Sequence, residues 1–224
     1  MSDVVVHHLE HSRSQRVLWL LEELGVDYRI EHHKRNPRTM RATGSLKAVH
    51  PLGKAPLVAL DGEVLAESGA ILEALVERCD GSSLVPGDPT LRQRCRYWLH
   101  YAEGSLMSPL LVKLITTQIT KPPVPFFVRP LTRAVAKAID ASYTQPEIDA
   151  HLGWIERSLG EHVWFAGPEL SIADIQMSYP LEAVSGRVGL GDRYPNIAGF
   201  VARCRERPAY QRAEAKVGDF GIPG

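Results

Sequence analysis

Cysteine is scarce in this chain, and the little there is excludes two kinds of protein. Cys79, Cys95 and Cys204 are odd in number, lie far apart and include no Cys-x-x-Cys pair. That spacing builds neither a disulfide framework nor a zinc site, so no metal is expected, and reduced thiols suggest the cytoplasm. Net charge is missing as well, with 26 Lys plus Arg against 26 Asp plus Glu. A general nucleic-acid binder needs a basic excess to release counterions from phosphates, so nucleic acid is not an expected partner. No apolar run approaches the roughly 20 residues that span a bilayer, and a membrane is not expected either. Met1 to Val6 has no basic segment and too short an apolar stretch for a secretory leader. Internal repeats and long biased tracts are absent too. What remains is a soluble chain of 224 residues, 44% hydrophobic, able to bury the core of two compact domains at most.

The charge that is present is uneven. Lys34, Arg35, Arg38, Arg41, Lys47 and Lys54 fall in a stretch with no acidic residue. Before it, Val4-Val5-Val6 reads as a buried strand. Val17, Leu20, Leu21 and Leu24 then recur at helical spacing, and Gly25 sits where a C-cap glycine belongs. Asp27 to His33 alternates like a second strand, which completes a βαβ unit. After the basic stretch, Pro56 to Leu65 forms a hairpin around Asp61-Gly62, and Ser68 to Val76 a helix. This βαβ–ββα order predicts a layered α/β domain over residues 1–82. Asp80 to Ser83 and Pro86 to Pro89 make the best linker, and strand signals nearly vanish beyond it. Residues 90–224 therefore predict an all-α bundle, with helices over Leu91–Leu114, Val128–Ile139, Pro146–Leu159, Ser171–Val184 and Ile197–Arg205.

Three places carry candidate chemistry. Ser12 and Ser14 flank the start of the first helix, where free amides and the dipole favour an anion; capping by one serine is the commoner role. Pro56 heads a strand without an N–H to give to the ladder, which marks an edge, a first residue or a cis bond. Glu67-Ser68 enters the helix after the hairpin, and on its own reads as a capping pair.

Together these motifs resemble the glutathione transferase family. The resemblance rests on Ser12-Arg13-Ser14-Gln15-Arg16-Val17, Pro51-Leu52-Gly53-Lys54-Ala55-Pro56 and Glu67-Ser68-Gly69-Ala70-Ile71. Ser171-Ile172-Ala173-Asp174 resembles the family's capping box, and Tyr194-Pro195-Asn196 through Arg207-Pro208 its final helix. The match covers nearly the whole chain in the expected order.

The resemblance implies a thioredoxin-like first domain, a cis Pro56, and glutathione as co-substrate. It implies that Ala55 pairs with the cysteinyl backbone, that Glu67 and Ser68 hold the γ-glutamyl end, and that Lys54 lies near the glycyl carboxylate. Residue chemistry agrees, since Glu67 suits an ammonium and Ser68 at a helix N-terminus suits a carboxylate. No tyrosine or cysteine precedes Tyr28, so a serine is left to activate the thiol. Ser12 matches the family's catalytic serine best, and Ser14 is the alternative. Histidine at position 50, often asparagine in the family, is expected to leave the turn intact. An apolar electrophile is expected against Leu110, Leu111, Leu114, Ile115, Phe126 and Phe127, with Tyr97, Tyr101 and Glu103 facing the cleft or a partner subunit. A homodimer is implied as well. Glutathione-dependent reduction of a peroxide, or glutathione binding without turnover, are the rival readings of the same site.

Overall fold

The computed structural model describes residues 3–37, 39, 41–188, 190–218 and 220. Strand β1 (Val4–Leu9), β-branched at its start, is buried along its whole length. Helix α1 (Ser14–Leu24) covers Val17, Leu18, Leu20 and Leu21 completely and stops at Gly25, where φ is 64°. Glycine takes that left-handed conformation without the Cβ strain other residues meet. Strand β2 (Arg29–His33) runs parallel to β1. Strands β3 (Leu57–Leu60) and β4 (Glu63–Ala66) form the expected hairpin, and β3 pairs antiparallel with β1. The sheet order is β2-β1-β3-β4, and α3 (Ser68–Arg78) completes the βαβ–ββα layer.

Successive strand residues face opposite sides of a sheet. Val4 and Val6 join α1 and α3 in the main core, whereas Leu9 meets Leu57 and Leu46 in a small second cluster. Leu46 belongs to helix α2 (Gly44–Val49), inside the basic stretch that shows no periodicity in the sequence. Six residues with one buried position carry too little pattern to be recognised, and so short a helix holds only by packing on the sheet.

Beyond α3 the regular elements among the described residues are helical. They are α4 (Pro89–Tyr101), α5 (Met107–Gln118), α6 (Arg129–Ile139), α7 (Gln145–Glu161), α8 (Ile172–Val188), α9 (Pro195–Glu206) and α10 (Pro208–Val217). Asp88 starts α4 by accepting the amides of Thr90 and Leu91, both at 2.9 Å. The expected single helix over Leu91–Leu114 proves to be α4 and α5 joined through a π-helical turn at Ala102–Leu106. Arg207-Pro208 ends α9, as expected, but that helix is not the last, because the same two residues open α10. Proline suits the first helical position, where its missing N–H costs nothing. Helix α10 then folds back on α1. Arg212 Nε and Lys216 Nζ reach Glu22 at 2.8 and 2.6 Å, and Arg207 Nη2 donates to Glu23 Oε2 at 2.8 Å. Among the described residues no helix is long and apolar enough to cross a membrane.

Candidate active site

Two of the motif segments meet at the end of the sheet. Before β3, His50 O accepts the amide of Gly53 at 2.9 Å, so histidine at 50 does leave the turn intact. Gly53 has φ 56°, and a Cβ there would start 2.6 Å from Lys47 Cγ, so the turn requires glycine. The Ala55–Pro56 bond that follows is cis, as the resemblance implies. Glu67 and Ser68 lie between β4 and the body of α3. Lys54, Ala55, Pro56, Glu67 and Ser68 line one cleft of about 240 Å³ together with Arg13, His50, Leu52 and Glu103.

Glu67 has φ 70°, uncommon for a residue with a Cβ and a conformation that gathers at functional sites. Its side chain makes no capping bond to α3, so the capping role is not taken and the carboxylate is left for the cleft. Ser68 is buried, and its Oγ accepts from Arg16 Nη1 at 3.4 Å.

An ion-pair network floors this cleft. Arg16 Nη1 and Arg13 Nε both donate to Glu103 Oε1, at 2.6 and 2.8 Å, and both guanidinium groups lie over the Tyr179 ring. Burial pulls fully covered Arg16 down to about 10, so it stays charged at neutral pH. Burial pushes Glu103 upward, but Arg16 and Arg13 outweigh it and hold the carboxyl below its usual range. Glu103 sits in the π-helical turn, an irregularity often found at functional sites. Sequence reasoning missed Arg13 and Arg16. Their i, i+3 spacing puts both on one helix face, but the acid that joins them lies 87 residues beyond Arg16.

Ser12 and Ser14 are both buried, Ser12 at 8% exposure and Ser14 at 0%. Ser14 is fully buried, with its Oγ 2.8 Å from both Ser12 Oγ and His8 Nδ1 and 3.4 Å from Leu9 O. Ser12 Oγ accepts the Ser14 amide at 3.3 Å, a long capping contact. Ser12 lines a second cleft of about 250 Å³ with His8, His11, Gln15, Val217 and Phe220, rather than the first. Burial, reinforced by His32, His11 and His33, pulls His8 down to about 4, so its ring is neutral at pH 7.

None of the six residues expected around the electrophile lines either cleft. Leu110 packs in the main core and Leu114 is half-buried. Leu111, Ile115, Phe126 and Phe127 are exposed, the two phenyl rings perpendicular at 5.6 Å. Glu103 faces the first cleft, whereas Tyr101 is buried against His151 and exposed Tyr97 accepts from Trp154 Nε1 at 3.2 Å. Cys95 and Cys204 are buried free thiols and Cys79 is half-buried; burial pushes all three upward, as packing residues require.

The sequence matches the family model described as glutathione S-transferase, N-terminal domain, over residues 12–78, and its C-terminal domain counterpart over residues 115–208. Glutathione S-transferase 1 of Saccharomyces cerevisiae is 32% identical over 227 residues, covering 97% of each chain. Glutathione S-transferase 3 of Schizosaccharomyces pombe is 34% identical over 218 residues, 96% of this chain and 88% of its own. Among solved structures, a glutathione S-transferase from Actinobacillus pleuropneumoniae superposes with a TM-score of 0.77 at 31% identity, over 98% of this chain and 94% of that one.

Proposed function

The chain belongs to the glutathione S-transferase family and is a glutathione transferase; from that premise we propose that reduced glutathione lies in the cleft between Arg13 and Glu67 and extends its sulfur past Arg13 toward the second cleft, where Ser12 holds it as a thiolate. The observation that carries this reading is the convergence of Lys54, Ala55, Pro56, Glu67 and Ser68, from separate segments, on one cleft. Glu67 meets the γ-glutamyl ammonium. Ser68, the N-terminus of α3 and the Arg16 charge below it meet the adjacent carboxylate. Ala55 pairs with the cysteinyl backbone, and Lys54 takes the glycyl carboxylate.

The sulfur then points toward the start of α1. Ser14 is fully covered whereas Ser12 keeps 8% of its surface, which supports Ser12 as the activating hydroxyl. Ser14 and His8 act behind it. When neutral His8 donates from Nδ1 to Ser14, and Ser14 donates to Ser12, the Ser12 proton is free to face the thiolate. A thiol of pKa ~8.5 is about 3% ionised at pH 7, and lowering the pKa by ~2 needs roughly 2.7 kcal/mol. One hydroxyl bond to an anion supplies ~1.5–3 kcal/mol, and the helix terminus ~0.3–1. A less basic thiolate is also less nucleophilic, which returns about eightfold of the ~25-fold gain in ionised sulfur. Most of the acceleration must come from holding the electrophile against the sulfur. Exposed Leu111, Ile115, Phe126 and Phe127, with Leu114, offer an apolar surface for it; Leu110 supports them from the core. A homodimer and a cytoplasmic location belong to the same proposal, the latter supported by the free thiols.

The test follows the bound thiol by its thiolate ultraviolet absorbance against pH. Ser12→Ala moves that titration upward by about 1–2 pH units, the equivalent of the lost bond. Ser14→Ala moves it less. An unmoved titration in Ser12→Ala refutes the assignment, and failure of the wild-type chain to bind millimolar glutathione refutes the site.

A further inference from the structure

The β1 and β2 histidines form a second cluster that glutathione chemistry does not use. His7 of β1 pairs in register with Glu31 of β2, and His33 follows two positions on. All three side chains therefore stand on the sheet face covered by α2, away from the face where His8 meets Ser14. None of the three lines the glutathione cleft. His7 and His33 are buried, while Glu31 remains 59% exposed at the open edge of the sheet.

Three lone-pair atoms converge there. His7 Nδ1 lies 3.1 Å from His33 Nε2 and 3.2 Å from Glu31 Oε2, and the three atoms fall within 4.8 Å of one another. Ligands held at ~2.05 Å on a tetrahedral zinc ion are about 3.3 Å apart. Two of the three edges thus already match. The far nitrogen of His33, Nδ1, sits 2.8 Å from Ser45 Oγ on α2, and that oxygen is 3.1 Å from Thr43 Oγ1. An outer hydrogen bond of this kind fixes the ring of a metal-ligating histidine.

We propose that His7, Glu31 and His33 bind one divalent transition-metal cation, zinc(II) by donor type and spacing, which ties β1 to β2 beneath α2. Two imidazoles and a carboxylate suit zinc, and the exposed side of Glu31 leaves the fourth position to water. No metal is expected from the cysteines, and that reasoning does not reach this site. Its two histidines are 26 residues apart and meet only through strand pairing.

The experiment uses the full chain, free of any affinity tag and stripped with a chelator, titrated with zinc chloride by calorimetry. One equivalent binds per chain, in the micromolar range or tighter, and the thermal midpoint rises by about 5 °C at saturation. Cobalt(II) gives the intense visible bands of a four-coordinate ion. Glu31→Gln, on an exposed side chain that the fold does not need, weakens binding at least about tenfold. His33→Gln abolishes it, while His32→Gln, on the opposite sheet face, leaves it unchanged. Absence of binding at 1 mM zinc (a concentration on the order of the weakest useful sites), or binding unaltered in Glu31→Gln, overturns the proposal.

Discussion

His8 shows how one buried side chain ties the site to stability. Its ring lies 2.8 Å from Ser14 Oγ and carries no charge at neutral pH, because burial and three nearby histidines oppose protonation. In the unfolded chain the same ring titrates near its ordinary 6.5, and in the fold near 4. Between those values the unfolded state binds more protons, so stability rises with pH across that window and is lost as pH falls through it. The difference is worth up to about 3 kcal/mol. His33, lowered in the same direction, adds to the slope. Urea unfolding from pH 4 to 7 is expected to show a visibly flatter profile for His8→Asn than for wild type; parallel profiles would contradict the buried neutral ring. Motif order alone named Ser12 and Ser14 without ranking their access. Their exposure separates them, since Ser14 has no surface left to offer.

At the scale of elements, the start of α8 shows what a local motif can specify. Asp174 Oδ2 accepts the Ser171 amide at 2.8 Å, one half of the expected capping box, and also takes the Ser171 hydroxyl at 2.8 Å, while the Asp174 amide donates to Ser171 O instead of to that hydroxyl. Its other oxygen does something no local pattern indicates, accepting the amide of Phe165 at 2.7 Å. Asp174 is completely buried, so Asp174→Ala strands two backbone N–H groups away from water. The expected cost is about 3 kcal/mol, measured by equilibrium denaturation with glutathione absent. Ser171→Ala keeps those backbone bonds and costs about 1 kcal/mol. Helices with long apolar stripes were legible in this way. Helix α2 was not, because its stability comes from Leu46 packed on the sheet, and the π-helical turn was not, because one wide turn within a long helical run has no residue signature of its own.

Across the whole molecule, one apolar cluster runs from Val4 through Trp98 to Phe220 without a break at the linker. Trp19 of α1 meets Tyr210 of α10 edge-on at 5.3 Å, and Glu182 of α8 accepts from Gln15 and Tyr210 at 2.6 and 2.7 Å. An α/β layer and a helical bundle so joined are expected to melt together. Calorimetry should give one thermal transition whose van't Hoff and measured enthalpies agree. Two resolved transitions would show that the shared core does not couple them. Glu22→Gln with Glu23→Gln, which removes the negative charges facing Arg212, Lys216 and Arg207, is expected to lower that transition by about 5 °C.

The amino-acid sequence by itself determined the βαβ–ββα order and the helical second half, the proline turn before β3, the Ser171–Asp174 cap of α8 and the identity of the five cleft residues. Each of these is written in neighbours a few positions apart, within reach of one turn of helix or one hairpin. Only the tertiary structure decided that Glu103 joins Arg13 and Arg16, that Ser14 is sealed while Ser12 keeps a sliver of surface, and that His7 meets His33. Those outcomes depend on strand register and helix packing between distant segments, and period and propensity carry no record of either.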